Sequence, residues 1–167
     1  LQSGSWVYHF KTKQDILAAV MEEGLQQALE HIEAIGREQL SPREQFRALL
    51  RTHLDTLLGP GQDFIPVLLY EWRSLEPAGR RRVVALQKRY EQVWDEVIGR
   101  LQRSGEWAMP TRVDRLLMFG ALNWIAQWFR PGGSLDVAGL ADEAERFCLR
   151  TPQKRPAVAR RRRKARS

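Results

Sequence analysis

The chain has 167 residues, of which 43% are hydrophobic and 28% charged, a composition that supports one domain with a substantial core and excludes wholesale disorder or a fibrous repeat. Its formal net charge is +7. Residues 152–167 hold eight basic and no acidic side chains, while everything before them holds 19 basic and 20 acidic, so a nucleic-acid reading of the charge applies to the tail and not to a nearly neutral body.

Helical periodicity runs through that body, and no alternating strand flanked by hairpin turns interrupts it. The expected fold class is all-α. From Lys13, the residues Leu17, Val20, Met21, Leu25, Ala28, Ile32 and Ile35 recur three or four apart, giving one apolar stripe on a long helix that Gly36 can end. Its 23 residues to Ile35 would span roughly 35 Å, and Gly24 within it reads as a point of close packing, with a hinge as the alternative. Ser41-Pro42-Arg43-Glu44 is the clearest helix start, with a capping serine, a proline at the first helical position and a glutamate able to reach back to the cap amide. That helix packs through Phe46, Leu49, Leu50, His53, Leu54 and Leu57 and stops at Gly59-Pro60-Gly61.

Phe64 to Trp72 is a nearly continuous apolar run, read as helix because no partner strand is in sight. Pro77 begins the next helix, striped by Val83, Leu86, Tyr90, Val93, Trp94, Val97 and Leu101 and ending near Ser104-Gly105. Arg112 to Phe129 follows and is apolar nearly all round, which implies cover on more than one side. After Pro131-Gly132-Gly133, a last helix within Leu135 to Leu149 buries Val137, Leu140, Ala141, Ala144, Phe147 and Cys148. Beyond Thr151 no apolar face remains, so the tail is expected to be disordered. The lone cysteine excludes an internal disulfide, and the longest uncharged stretch, 116–129, falls short of the roughly 20 residues that cross a membrane. No basic leader with an apolar run opens the chain, which points to a cytoplasmic protein.

Gly4-Ser5-Trp6-Val7-Tyr8-His9-Phe10-Lys11-Thr12-Lys13, followed by Asp15-Ile16-Leu17, resembles the end of the helix-turn-helix of TetR-family transcriptional repressors. The resemblance implies a TetR-like helical bundle: residues 1–12 as the remnant of a DNA-binding domain, 13–36 as the connecting helix, 37–150 as a ligand-binding and dimerisation domain, and 151–167 as the basic tail. It also implies that two further helices of the DNA-binding unit lie ahead of Leu1, and that without them to aim the recognition helix this polypeptide would not read an operator. Where the family usually has a tyrosine this chain has Val7, with Tyr8 one residue later. Leu69-Tyr70-Glu71-Trp72-Arg73-Ser74-Leu75, Gly120-Ala121-Leu122-Asn123-Trp124 and Trp128-Phe129-Arg130-Pro131-Gly132-Gly133 resemble the members that control lipid, steroid or aromatic-acid catabolism, several of which respond to acyl-CoA thioesters.

On that resemblance, Gln2, Ser3 and Ser5 lie on or near the recognition helix, and Tyr8, His9 and Lys13 face the sugar-phosphate backbone, contacts that set position more than sequence. Phe64, Leu68, Trp72, Trp94, Phe119, Asn123 and Trp124 are candidates for the wall of an apolar effector pocket, in which Asn123 is the conspicuous polar group. Arg73, with the Arg80-Arg81-Arg82 run, is placed to meet the phosphates of a CoA-type ligand, since guanidinium matches phosphate in fork geometry; for the run, a solvated helix face is the simpler reading. The last two body helices carry more apolar surface than one subunit hides, so a homodimer is expected through Leu122, Gln127, Trp128, Leu140 and Phe147. Asn123 and Gln127, one turn apart, offer a pair across that interface as the alternative to a pocket role for Asn123.

No catalytic or metal site is expected, and no cofactor. His9, His31 and His53 fall on separate segments with no partner pattern for a metal, and neither a phosphate-binding glycine loop nor a nucleophile elbow is present. The function implied is a ligand-responsive DNA-binding regulator, effector an acyl-CoA or apolar acid. The alternative is a helical small-molecule-binding or protein-interaction dimer without DNA-binding function. The tail reads as a solubilising end, an accessory DNA arm or an anionic-surface patch.

Overall fold

Two capping boxes set the first helix starts. The Thr12 hydroxyl accepts from the Asp15 amide at 3.1 Å while the Asp15 carboxylate accepts from the Thr12 amide at 3.0 Å. Ser41 and Glu44 repeat the exchange at 3.3 and 3.0 Å, with Pro42 in the first helical position, so orphan amides at both starts are satisfied locally. The computed structural model describes residues 12–59, 71–107 and 112–149. Among these it has five α-helices, α1 (Lys13–Arg37), α2 (Pro42–Leu58), α3 (Pro77–Arg103), α4 (Arg112–Trp128) and α5 (Val137–Cys148), with a 3-10 turn at Trp72–Ser74 and no strand. Most of the apolar run expected as a helix before Trp72 lies outside the described residues, as does the basic tail. Gly105, at φ +78°, adopts the left-handed conformation that ends α3.

The core forms around α2. Phe46, Leu49, Leu50 and Leu54 are fully buried, together with Leu29 and Ile32 of α1 and Trp94 and Leu101 of α3. Phe46 meets Trp94 edge-on at 5.9 Å and Trp107 at 5.6 Å. A second cluster joins Ala18, Met21 and Leu25 of α1 to Leu75 and Val83. Gly24 is buried within α1.

Three polar devices fix the helices to one another. The fully buried Gln45 of α2 donates from Nε2 to the carbonyls of Ile35 (2.9 Å) and Gly36 (3.1 Å) at the end of α1, and its Oε1 accepts from Arg100 of α3. Arg100 also donates to the Leu40 carbonyl at 3.0 Å. Glu145 of α5, its side chain 2% exposed, accepts from Arg43 at 2.6 Å and Arg47 at 2.5 Å, both on α2. Burial pushes its carboxyl up, but hydrogen bonds and charge from the two guanidinium groups outweigh that and hold it below the ordinary carboxylate range. Along α1 and α3, Arg82 pairs with Glu22 at 2.9 Å and Arg89 with Glu33 at 2.7 Å. Because both members of these pairs rise in number together, α1 and α3 run parallel.

Within the single chain α4 buries Met118, Leu122 and Ile125 and leaves Val113, Leu117, Trp124 and Trp128 exposed, with Phe147 of α5 exposed as well. Leu122 and Leu140, expected at a dimer interface, are 3% and 4% exposed. That expectation is corrected: both belong to the subunit's own core, and neither has surface left to offer a partner.

The α1–α3 seam is tight at Gly79, where a Cβ would fall 2.9 Å from the Cβ of Ala18. Alanine is ordinarily the better helix former by up to about 1 kcal/mol, but here it meets an immovable backbone-borne methyl. Gly79→Ala is therefore expected to destabilise by about 1–2 kcal/mol in urea unfolding, and Ala18→Gly in the same chain to recover most of that loss. A stabilising Gly79→Ala would show that the helices are not in contact at this point.

Candidate functional site

Three polar side chains interrupt the apolar faces of α2, α3 and α4, and the fold brings them together. His53 stands one turn beyond Leu49 on the core face of α2 and is 7% exposed. Its Nδ1 lies 2.9 Å from the Tyr90 hydroxyl of α3 and its Nε2 lies 3.2 Å from Asn123 Oδ1 of α4. Aromatic rings surround the imidazole: Trp94 at 5.8 Å, Phe119 at 5.9 Å and Tyr90 at 6.0 Å between centroids. Removal from water lowers the His53 pKa to about 4, against a smaller opposing effect of the Asn123 hydrogen bond, so the ring is neutral at neutral pH. An amide oxygen only accepts, so Nε2 carries the hydrogen. Nδ1 is then the acceptor and the Tyr90 hydroxyl donates to it. Burial likewise pushes the Tyr90 hydroxyl upward, which keeps that donor protonated.

This trio forms part of the wall of a cleft of about 400 Å³, within the range of small-molecule sites. Among the described residues the wall also includes Leu25 and Ala28 of α1, Thr56 and Leu57 of α2, Trp72, Gln87 and Glu91 of α3, and Arg112, Arg115, Leu116 and Phe119 of α4. Arg115 is ion-paired with Asp95. Arg112 and Leu116, at the start of α4, are exposed and mark the open end. Trp72 also borders a second, shallower hollow with Arg80, Arg81 and Lys88, and the Arg73 guanidinium sits 5.0 Å over its ring, a cation–π distance.

Of the residues expected to form a pocket wall, Trp72, Phe119 and Asn123 line the cleft. Trp94 does not. It is fully buried behind His53 and Phe119 and supports the wall from within the core. Trp124 is 62% exposed on the opposite side of α4, so its assignment to the pocket is corrected. Arg73 is exposed and covers Trp72 from outside. Phe64 and Leu68 lie outside the described residues, as do Gln2, Ser3, Ser5, Tyr8 and His9. Lys13 is the exposed first residue of α1. Gln127 and Trp128 are exposed on α4 and Phe147 on α5. Asn123 bonds to His53 inside its own chain through its amide oxygen. Sequence reasoning passed over His53, Tyr90, Arg112 and Arg115 as site residues. The available signal was that His53, Tyr90 and Asn123 are each a polar member of an otherwise apolar stripe, and such groups must find one another when buried.

Residues 39–151 match the tetracyclin repressor-like C-terminal domain. The chain belongs to the TetR family. A curated relative, the fatty acid metabolism regulator protein of Bacillus subtilis (strain 168), is 23% identical over 142 residues, covering 83% of this chain and 73% of its own. Among solved TetR-like folds, a protein described as the superantigen pfit is 38% identical with a TM-score of 0.72, covering 89% of this chain and 81% of its own. The regulator AibR, solved in complex with isovaleryl coenzyme A and operator DNA, is 23% identical with a TM-score of 0.74, covering 84% and 77%. Among the described residues of this TetR-family chain, no group of three or more side chains suits a metal ion, and no helix is long and apolar enough to cross a membrane.

The depressed His53 pKa makes stability pH-dependent with a definite sign. The unfolded chain takes up the proton near pH 6.5 and the folded one resists it until about pH 4, so this stabilisation is fully present above pH 6.5 and is lost as the pH falls toward 4. The loss should reach about 3 kcal/mol at 1.36 kcal/mol per pKa unit. Urea titrations of the wild type and His53→Gln between pH 7 and pH 4 are expected to show the wild type losing that much more than the variant. Parallel losses would place His53 in contact with water. The Glu145 carboxylate acts in a lower window, because its pKa is held below the ordinary carboxylate range, and contributes equally to both proteins.

Proposed function

We propose that this TetR-family chain is a ligand-responsive transcriptional regulator whose effector is an acyl-CoA or a related apolar acid. The observation that carries the reading is the cleft itself, an apolar cavity with arginine at its open end, built between α1 and the helices of the family's C-terminal domain. Its volume of about 400 Å³ suits an acyl group. A coenzyme moiety would then lie outside, near Arg112 and across Trp72 toward Arg80, Arg81 and Lys88, where guanidinium groups match phosphate geometry. The AibR complex with isovaleryl coenzyme A and the fatty acid metabolism relative support the same class of effector.

Operator binding is ascribed to Gln2, Ser3, Ser5, Tyr8, His9 and Lys13 through the family resemblance, and needs a complete helix-turn-helix. α1 leads from Lys13 to Leu25 and Ala28 in the cleft wall, so a ligand that displaces it shifts whatever its N-terminal end carries. A coupling of about 1–3 kcal/mol suffices for such release. In a polypeptide with a complete helix-turn-helix ahead of Leu1, lauroyl-CoA is expected to weaken operator binding by about tenfold or more, which corresponds to roughly 1.4 kcal/mol. Arg112→Glu should raise the lauroyl-CoA concentration needed for release without weakening DNA binding in its absence. No DNA binding at low salt, or binding indifferent to every acyl-CoA from isovaleryl to palmitoyl, would refute the reading.

The exposed face of α4, with Val113, Leu117, Trp124 and Trp128 at helical spacing and Phe147 of α5 beside it, is proposed to seat a second copy of the chain, since an apolar patch of this kind is rarely left to water. Trp124→Glu is expected to convert a dimer to a monomer in analytical ultracentrifugation while leaving the helical circular dichroism unchanged. A second reading, a protein-interaction module without regulatory DNA function, draws on the 38% identity to the protein described as a superantigen. A wild type that sediments as a monomer would favour it, because the same face would then be free for another partner.

A further inference from the structure

The two ends of the cleft differ in chemistry. Arg112 and Arg115 line the cleft at the start of α4, with Leu116, 58% exposed, beside them. Deeper in the wall stand the buried His53 with Tyr90 and Asn123, Phe119 coming before Asn123 on α4, and Leu25, Ala28 and Leu57 supply further apolar lining. Asn123 follows Arg115 by eight residues and Arg112 by eleven on the same helix, which separates the ends by about 12–16 Å at 1.5 Å per residue.

The hydrogen bonds at the inner end have fixed directions. His53 Nε2 donates to Asn123 Oδ1 and the Tyr90 hydroxyl donates to His53 Nδ1. With its oxygen engaged, Asn123 is left with the two N–H donors of its amide, and neither has a partner among the described residues. The Tyr90 hydroxyl, its hydrogen directed at the imidazole, keeps lone pairs on its oxygen, one of them toward Trp94. An alkyl terminus pressed against this end would strip water from these groups and return nothing, a penalty larger than the worth of an ordinary hydrogen bond. A carboxylate would fare no better, because the neutral imidazole offers it no counter-charge in a buried place. An uncharged oxygen satisfies the site: a keto oxygen accepts from the Asn123 amide, and a hydroxyl can also donate to the Tyr90 oxygen.

We infer that the effector of this cleft carries, besides its anionic group at the arginine end, an uncharged hydroxyl or keto oxygen at its far end, bound by the Asn123 amide. His53 is a positioning residue that aims that amide by holding its oxygen. The inference rests on the effector reading above and narrows it from apolar acyl groups to oxygenated ones.

The test is calorimetric titration of the 167-residue chain with decanoyl-, lauroyl- and myristoyl-CoA and with their ω-hydroxylated counterparts. At the chain length that binds best, the hydroxylated probe is expected to bind at least about tenfold more tightly to the wild type, as sites built to hydrogen-bond a ligand oxygen discriminate against analogues without it. In Asn123→Leu the ratio should collapse to near one, with plain acyl-CoA binding retained or strengthened. His53→Phe should collapse it too, a change in preference that a merely structural role would not produce. Equal or weaker binding of the hydroxylated probes by the wild type overturns the inference while leaving the effector reading in place, and this arm does not depend on any variant folding. Failure of every probe to bind overturns both.

Discussion

The last carbonyls of a helix lack donors within it and must find partners elsewhere; at the end of α1 those of Ile35 and Gly36 meet the buried side chain of Gln45. Gln45 answers this constraint. By donating to Ile35 and Gly36 while accepting from Arg100, it ties the end of α1 to the first turn of α2 and to α3. Further back along α1 the Glu33–Arg89 and Glu22–Arg82 pairs and the close approach at Ala18 continue the attachment to α3. A glutamine made fully buried by the fold is unusual, and the three-helix junction explains why an apolar residue of the same size would not serve.

The same logic of enforced pairing governs the cleft. Desolvation leaves His53 no charged option near neutral pH, neutrality selects a tautomer, and the tautomer dictates which neighbour gives and which receives. Four aromatic rings that pack as core, those of Trp94, Phe119, Tyr90 and His53 itself, thereby hold a directional polar surface at the inner end of an otherwise apolar cavity. Arg115 is restrained by Asp95 at the other end, while Arg112 makes no ion pair among the described residues.

What the sequence could reveal was largely local. Ser41-Pro42-Arg43-Glu44 announces its helix because the capping box is made within four residues, and the stripes on α1, α2 and α3 mark buried faces because those faces repeat with the helix period. α4 is the counterexample. Leu122 and Trp124 are two residues apart and so point to nearly opposite sides of the helix, yet both are apolar, and an all-round apolar pattern carries no phase from which to tell core from surface. Trp94 and Phe119 touch each other, but one is a wall and the other its backing, a difference set by neighbours distant in sequence. His53 finds Tyr90 across 37 residues and Asn123 across 70, so their meeting exists only in the tertiary fold.

The parallel course of α1 and α3 has an electrostatic side. Each helix places roughly half a positive charge at its N-terminus, and a parallel pair adds these ends where an antiparallel pair would cancel them. Lys13 and Pro77 begin the two helices at the same end of the bundle, the end from which the chain continues back into residues 1–11. A positive potential is therefore built into the peptide backbone there. It owes nothing to the basic tail that dominates the net charge, and it would persist through every substitution that leaves the two helices side by side.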